Sequence, residues 1–192
     1  MDTALNAEGR RQARLASRAL EAYVPDLVVS SDLSRCTQTR DLVLTDAQRA
    51  HAVLLLDPLW RERGWGAAEG LHINAMRGDA AYGEERHDEF WERTHRAWLA
   101  TVAAAAKRGA RRVLVVSHGG TIHGTVGKLA LDGFALPDAK TLATSTKRHF
   151  RSLPVNTSVT VVDTAADGRA GAILVYNNHD HLVGPAGPAD GV

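Results

Sequence analysis

The sequence predicts an α/β fold built on a mostly parallel sheet, and three observations predict it. The apolar run at residues 27–29 and the stretch from Arg112 to Val116 read as buried strands, and residues 53–56 as a second short strand. Stretches with helical spacing alternate with them, which is the pattern of helices packed on a parallel sheet. Two of the runs end in small polar residues, Ser30-Ser31-Asp32 and Ser117-His118-Gly119-Gly120, so chemistry-bearing groups are delivered to the carboxyl ends of strands.

Along the chain, Asn6 is placed to cap a helix from Ala7, in which Leu15, Ala16, Ala19, Leu20 and Tyr23 recur at helical spacing opposite arginines. Pro25 ends it. The strand at Leu27 to Val29 then runs through Ser30, Ser31 and Asp32 into a helix that carries Arg35, Gln38 and Thr39. A second strand at Val53 to Leu56 leads into a loop from Asp57 to Gly70, rich in glycine and charge and holding Trp60 and Trp65. A long helix covers about Asp88 to Lys107 through Phe90, Trp91, Trp98, Leu99 and Val102. Arg112 to Val116 follows as a buried strand, and a helix runs from about Thr121 to Leu131. An irregular stretch through Pro137 and Pro154 has the character of a lid or flap. Val159 to Val162 and Ile173 to Tyr176 close the pattern as two strands joined by a turn at Asp167 and Gly168. The tail from Gly184 is rich in glycine and proline, so the reading is one domain over residues 1–184 and a loose tail over 185–192.

Composition narrows the function classes. A chain of 192 residues suits one α/β domain, and a formal net charge of +1 gives no reason to expect nucleic acid as a partner. No apolar run approaches the roughly 20 residues of a membrane helix, and the N-terminus lacks a signal core, so no membrane partner and a cytoplasmic address are expected. The single cysteine, Cys36, excludes an internal disulfide and reads as a small core residue on a helix. Nothing in the pattern signals an oligomeric state.

Three segments converge on the predicted sheet edge: Ser30 to Arg35, the Arg61 to Gly70 loop, and Ser117 to Gly120. They bring a guanidinium at a helix start, a carboxylate in a loop and an imidazole beside backbone N–H groups, a set suited to a phosphate. Singly each has a plainer reading. Arg35 alone could be a solvated helix residue, His118 a satisfied core histidine, Glu62 one charge among alternating charges, and Glu69-Gly70 a turn.

The order SSDLSRCTQT, RERGWGAAEG, VLVVSHGG, NTSVTVV and HDHL resembles the histidine phosphatase superfamily, in its phosphoglycerate mutase-like branch. Asp2 to Ala13 resembles that family's D-x-x-L-T-x-x-G-x-x-Q-A stretch, with Asn6 in place of threonine, and the Arg61 to Gly70 loop is similar to that of members acting on fructose-2,6-bisphosphate. The resemblance implies a three-layer α/β/α fold and a phosphatase whose histidine nucleophile becomes a phosphohistidine, with two arginines and two histidines holding the phosphoryl group. It makes Glu62 the proton donor, His118 the second clamp histidine and Arg35 the second clamp arginine, with Ser31 and Gly119 completing the phosphate pocket. No metal and no organic cofactor is implied, and the partner is a small phosphorylated metabolite. His123 departs from an arginine common in the family. The pair His179 and His181 reads either as a metal-binding H-x-H or as the structural ending common in the family.

The resemblance also implies an opening, central strand ending in Arg-His-Gly, and that triplet occurs nowhere in the 192 residues. The chain is therefore expected to lack its first strand, to be marginally stable, and to lack turnover by itself, with a methionine inside the true protein taken as its start. Two other functions stay open: a non-catalytic module that binds a phosphorylated ligand, and a phosphoglycerate mutase-type phosphotransferase.

Overall fold

Residues 2–71, 82–136 and 153–183 are described by the computed structural model. The expected tail from Gly184, most of the stretch between Pro137 and Pro154, and His72 and His149 lie outside them.

Helix α1 (Ala7–Ala19) starts where the cap predicts: the Asn6 side chain accepts the Gly9 N–H at 2.8 Å, and the helix turns Ala13 and Ala16 into the core. Strand β1 (Leu27–Ser30) is buried along its whole length because it is the middle strand of a parallel sheet in the order β2-β1-β3. Leu27 sits opposite Val53 of β2 (Val53–Leu56) and Val113 of β3 (Val113–Val116), and Ser30 opposite Leu56 and Val116. One face of the sheet presents Leu27, Val29, Val113 and Val115 to Trp60 and to Ala97 and Ala105 of helix α4 (His87–Arg108). The other face presents Leu114 to Ala13 and Ala16 of α1 and to Val43 of helix α2 (Ser34–Val43). Helices thus cover both faces, the three-layer α/β/α arrangement that the pattern predicts.

The expected single sheet is divided. Strands β4 (Val159–Thr164) and β5 (Gly171–Asn178) form a separate antiparallel pair, because a short turn at Asp167 and Gly168 can join strands only in that sense. Trp98 of α4 holds this turn by donating its indole N–H to the Gly168 carbonyl at 2.8 Å, and its ring meets Phe134 edge-on at 6.2 Å. Ile173 of β5 then packs on Val126 and Leu129 of helix α5 (Gly119–Leu131), which makes a second apolar cluster. Among the described residues no helix is long and apolar enough to cross a membrane.

One helix was missed. Helix α3 (Asp46–His51) opens with a capping box in which the Thr45 hydroxyl accepts the Gln48 N–H and the Gln48 side chain accepts the Thr45 N–H. Its sequence signal, Thr-x-x-Gln, was present but carried no apolar period. Gln48 is buried, and its amide also donates to the carbonyls of Leu20 at 3.0 Å and Tyr23 at 2.8 Å, closing the C-terminal end of α1. Gln48→Ala leaves those carbonyls and the Thr45 N–H without their partner. We expect it to cost about 2 kcal/mol and lower the urea midpoint with the slope unchanged, whereas a loss below about 0.5 kcal/mol would contradict this role.

Candidate functional site

The site begins where β1 and β3 end side by side. The Ser31 N–H donates to the Val116 carbonyl at 2.9 Å, one step beyond the ladder, and so holds Ser31 beside Ser117 and His118. Chain direction then separates the two ends: β1 turns into α2, which carries Arg35 and Cys36, and β3 turns into α5, with His118 at its N-cap. The Ser117 hydroxyl donates to the Trp60 carbonyl at 2.7 Å, which ties in the loop after β2.

His118 is only 7% exposed and its two ring nitrogens are both engaged. The Arg35 Nε donates to Nδ1 at 3.1 Å. That fixes the proton on Nε2, which donates to the Ser31 hydroxyl oxygen at 2.9 Å. Burial, aided by the Arg35 and Arg93 charges, pushes the imidazole down to about 3, so it is neutral at physiological pH. The Cys36 thiol lies 3.4 Å from Nε2 and donates to the Ser117 carbonyl at 3.4 Å. Burial raises it to about 11, so it packs as a thiol against the ring rather than acting as a nucleophile. Cys36 is a buried helix residue as expected, but its contact with His118 was not legible in the sequence.

Glu62 reaches the same corner from the other side. Its carboxylate accepts the Gly120 N–H at 2.9 Å, in the first turn of α5, and the Arg63 N–H at 3.0 Å. The glycine pair after His118 is therefore part of α5 rather than a preceding turn. The space at Gly120 is taken by Glu62: a Cβ there would lie 2.4 Å from the Glu62 Oε1. Gly119 faces the segment after residue 152, where its Cβ would meet the Pro154 carbonyl oxygen at 3.5 Å. The loop that carries Glu62 is fixed by Arg93 of α4, which donates to the carbonyls of Leu59, Arg61 and Glu62 and pairs with Glu85 at 2.6 Å. No sequence signal set Arg93 apart from the other arginines of its helix.

Two carboxylates line the start of α2. Asp2 accepts the Ser34 N–H at 2.8 Å and the Ser34 hydroxyl at 2.6 Å, and these bonds hold it below the usual carboxylate range. Asp32 is lowered by a two-point bond from Arg61 at 2.7 and 2.5 Å. His123 meets the Tyr176 hydroxyl at 3.0 Å on the far side of α5. His179 engages the Asn177 carbonyl and His181 the Thr157 hydroxyl, and among the described residues no three potential ligands cluster as a metal site. Glu69 and Gly70 form a turn after a short 3₁₀ segment (Gly66–Ala68). The five residues singled out from the sequence thus fall in one region: Arg35, His118 and Ser31 bonded in a row, Gly119 at the start of α5, and Glu62 bonded to the first turn of α5 from the loop after β2.

The protein is thus a three-layer α/β domain with an arginine, a histidine and a helix N-terminus gathered at the carboxyl edge of its sheet. The chain belongs to the histidine phosphatase superfamily, branch 1, whose family model matches residues 1–178. It is similar to a broad-specificity phosphatase of Saccharomyces cerevisiae, 30% identical over 94% of this chain and 77% of that protein. A shorter likeness, 41% identical over 71 residues, covers 36% of this chain and 28% of the fructose-2,6-bisphosphatase TIGAR B of Danio rerio. The fold matches mycobacterial glucosyl-3-phosphoglycerate phosphatase in complex with inorganic phosphate, with a TM-score of 0.71 and 24% identity over 94% of this chain and 90% of that one.

Two outcomes follow from this geometry. The unfolded imidazole takes a proton near 6.5, whereas folded His118 takes one only near 3, so between those values the unfolded state binds more protons. Stability contributed by neutral His118 is present above pH 6.5 and falls as the pH drops toward 3. By NMR the His118 ring should stay neutral at pH 5, and a midpoint near 6.5 would refute its burial and engagement. Gly120→Ala should fold while pushing Glu62 off the α5 turn, at about 1 kcal/mol. Combined with Glu62→Ala it should cost little more than either change alone in urea unfolding, and strict additivity would show that the two groups do not meet.

Proposed function

We propose that this chain is the larger part of a cytoplasmic phosphomonoesterase that acts on a small, sugar phosphate-like metabolite through a phosphohistidine. The observation that carries this reading is the row Arg35, His118 and Ser31 at the sheet edge, with Glu62 held on the adjacent helix turn.

In this reading Arg35 and the neutral His118 bind non-bridging phosphoryl oxygens, Arg35 by charge and His118 through its Nε2 proton, which turns from Ser31 to the substrate. A histidine on an Arg-His-Gly strand attacks phosphorus while the bond to the leaving oxygen breaks, and Glu62 gives that oxygen its proton. Water then attacks the phosphohistidine, Glu62 takes a proton from it, and inorganic phosphate leaves. The sequence contains no Arg-His-Gly, so these 192 residues are proposed to bind phosphate weakly and not to turn over. Ser31 and the α5 N–H groups near Gly119 complete the pocket.

The absence of that triplet equally favours a second reading, in which the chain binds a phosphorylated ligand without catalysis. Hydrolysis of p-nitrophenyl phosphate separates the two, using this chain and a form extended by the coding sequence directly upstream. Activity in the extended form alone, lowered about 100-fold or more by Glu62→Ala and by His118→Ala, is the expected result. A folded but silent extended protein, or an in-frame stop directly upstream, would leave the binding reading in its place. Products formed with and without a bisphosphorylated primer report whether the phosphoryl group goes to water or to a second acceptor, as in a mutase.

A further inference from the structure

Arg35 faces two ways along its length: its Nε bonds His118, and it also lines a cavity of about 340 Å³. The remaining wall of that cavity comes from the segment Thr3 to Asn6, from Glu8, Gly9 and Gln12 on α1, and from Asn156. Arg35 is the sole cation among the described lining residues, and the sole carboxylate, Glu8, is paired with Arg11 at 2.7 Å. The rest are hydroxyl, amide or small apolar groups. A cavity of this kind suits a neutral, hydroxylated group, since a second anionic group on the ligand would find no cation there.

Asn156 is the lining residue held in place by the most unusual backbone. The next residue, Thr157, is β-branched and yet left-handed at φ 62°, a conformation such residues adopt only when their surroundings impose it. Its hydroxyl lies 3.5 Å from the His181 Nε2, and the 3₁₀ segment that contains His181 (Asp180–Leu182) packs on α1. On the other side, the Val155 N–H donates to the Asn177 side chain at 2.8 Å, and Asn177 is itself left-handed at φ 56°. Pro154 completes the frame by facing Gly119, the residue after His118. Two strained residues and two side-chain contacts thus fix a segment one residue long at the cavity wall. The Asn156 side chain is exposed, and no hydrogen bond joins its amide to another described residue.

We propose that Asn156 determines specificity, its amide hydrogen-bonding a hydroxyl on the neutral organic part of a phosphate monoester whose phosphoryl group lies at Arg35. Thr157 and His181 act as positioning residues for it. This rests on the reading of Arg35 and His118 as a phosphate site. It also favours ribose- or glycerol-like monophosphates over ligands with a second phosphate or a carboxylate.

The test is binding, which does not depend on the nucleophile. Inorganic phosphate and ribose 5-phosphate are titrated by NMR into the 192-residue chain, into Asn156→Ala and into Arg35→Ala. The chain should prefer ribose 5-phosphate about tenfold, as one or two added neutral hydrogen bonds provide. In Asn156→Ala the ratio of the two constants should fall to near one, and in Arg35→Ala both ligands should be lost. A chain that binds both ligands equally, or an Asn156→Ala variant that keeps the ratio, overturns the role of Asn156 while the phosphate site stands. If the chain binds neither ligand, or Arg35→Ala binds phosphate as before, the phosphate-site reading fails and the inference fails with it. Thr157→Gly accepts the left-handed backbone but removes the hydroxyl that meets His181, so it and His181→Ala should both lower the ratio. A unchanged ratio in His181→Ala removes the positioning role.

Discussion

The site depends on the register of one pair of strands. With Ser30 opposite Val116, the chain leaves β1 and β3 at the same level, and the Ser31 N–H bonded to the Val116 carbonyl extends the match by one residue. A shift of one residue would turn Leu27 and Val29 from α4 toward α1 and carry Ser31 away from His118. The alternation of apolar side chains between the two helical layers therefore sets the register, and the register sets the distance from serine to imidazole. The chemistry is placed by the core rather than by the loops.

That placement puts polar groups where water does not reach. Ser30, Ser31, Thr121 and His118 are all buried at the end of the sheet, and each unsatisfied group there would cost on the order of 1–3 kcal/mol. The structure meets this with bonds between neighbours. Ser30 donates to the Ser31 carbonyl, Thr121 donates to the Arg61 carbonyl, and His118 is bonded on both ring nitrogens. No buried side-chain donor or acceptor among the described residues lacks a partner. Because the bonds of His118 and Thr121 join segments distant in sequence, the polar cluster also ties α2, the Glu62 loop and α5 into one corner.

How much of this was legible in the sequence follows from what each feature rests on. The strands at residues 27–30, 53–56 and 113–116 and the cap at Asn6 rest on local chemistry, apolar runs and a side chain that bonds three residues ahead, and they were read nearly to the residue. Helix α3 has a local signal too, the Thr-x-x-Gln box, but no apolar period marks it, and its buried Gln48 bonds carbonyls more than 20 residues away. Ser31, Arg35, His118, Glu62 and Gly119 were found because motif order gathers them, although no spacing shows how they touch. Cys36 against the His118 ring, Arg93 under the Glu62 loop and Asn156 beside Arg35 are products of tertiary packing alone. The Gly120 contact shows the limit most clearly: the sequence shows a glycine two residues after His118, and only the fold shows that the space beside it is taken by the Glu62 carboxylate.

On the proposed phosphate-binding reading, the contacts around His118 also set what an arriving anion would have to do. The imidazole is neutral because it is buried and because Arg35 directs a donor at Nδ1, an arrangement that a proton on Nδ1 would abolish. A dianion beside Arg35 would weaken the second cause alone, since it draws the guanidinium charge to itself and supplies a negative field at the ring, while the burial stays. On that reading the Arg35 charge that helps to hold His118 neutral would be offset by the ligand, and phosphate binding and protonation at this histidine would be coupled through a single side chain. The Nε2 proton is present and directed at the Ser31 oxygen, so a phosphoryl oxygen would have to displace that bond, replacing one acceptor with a stronger one.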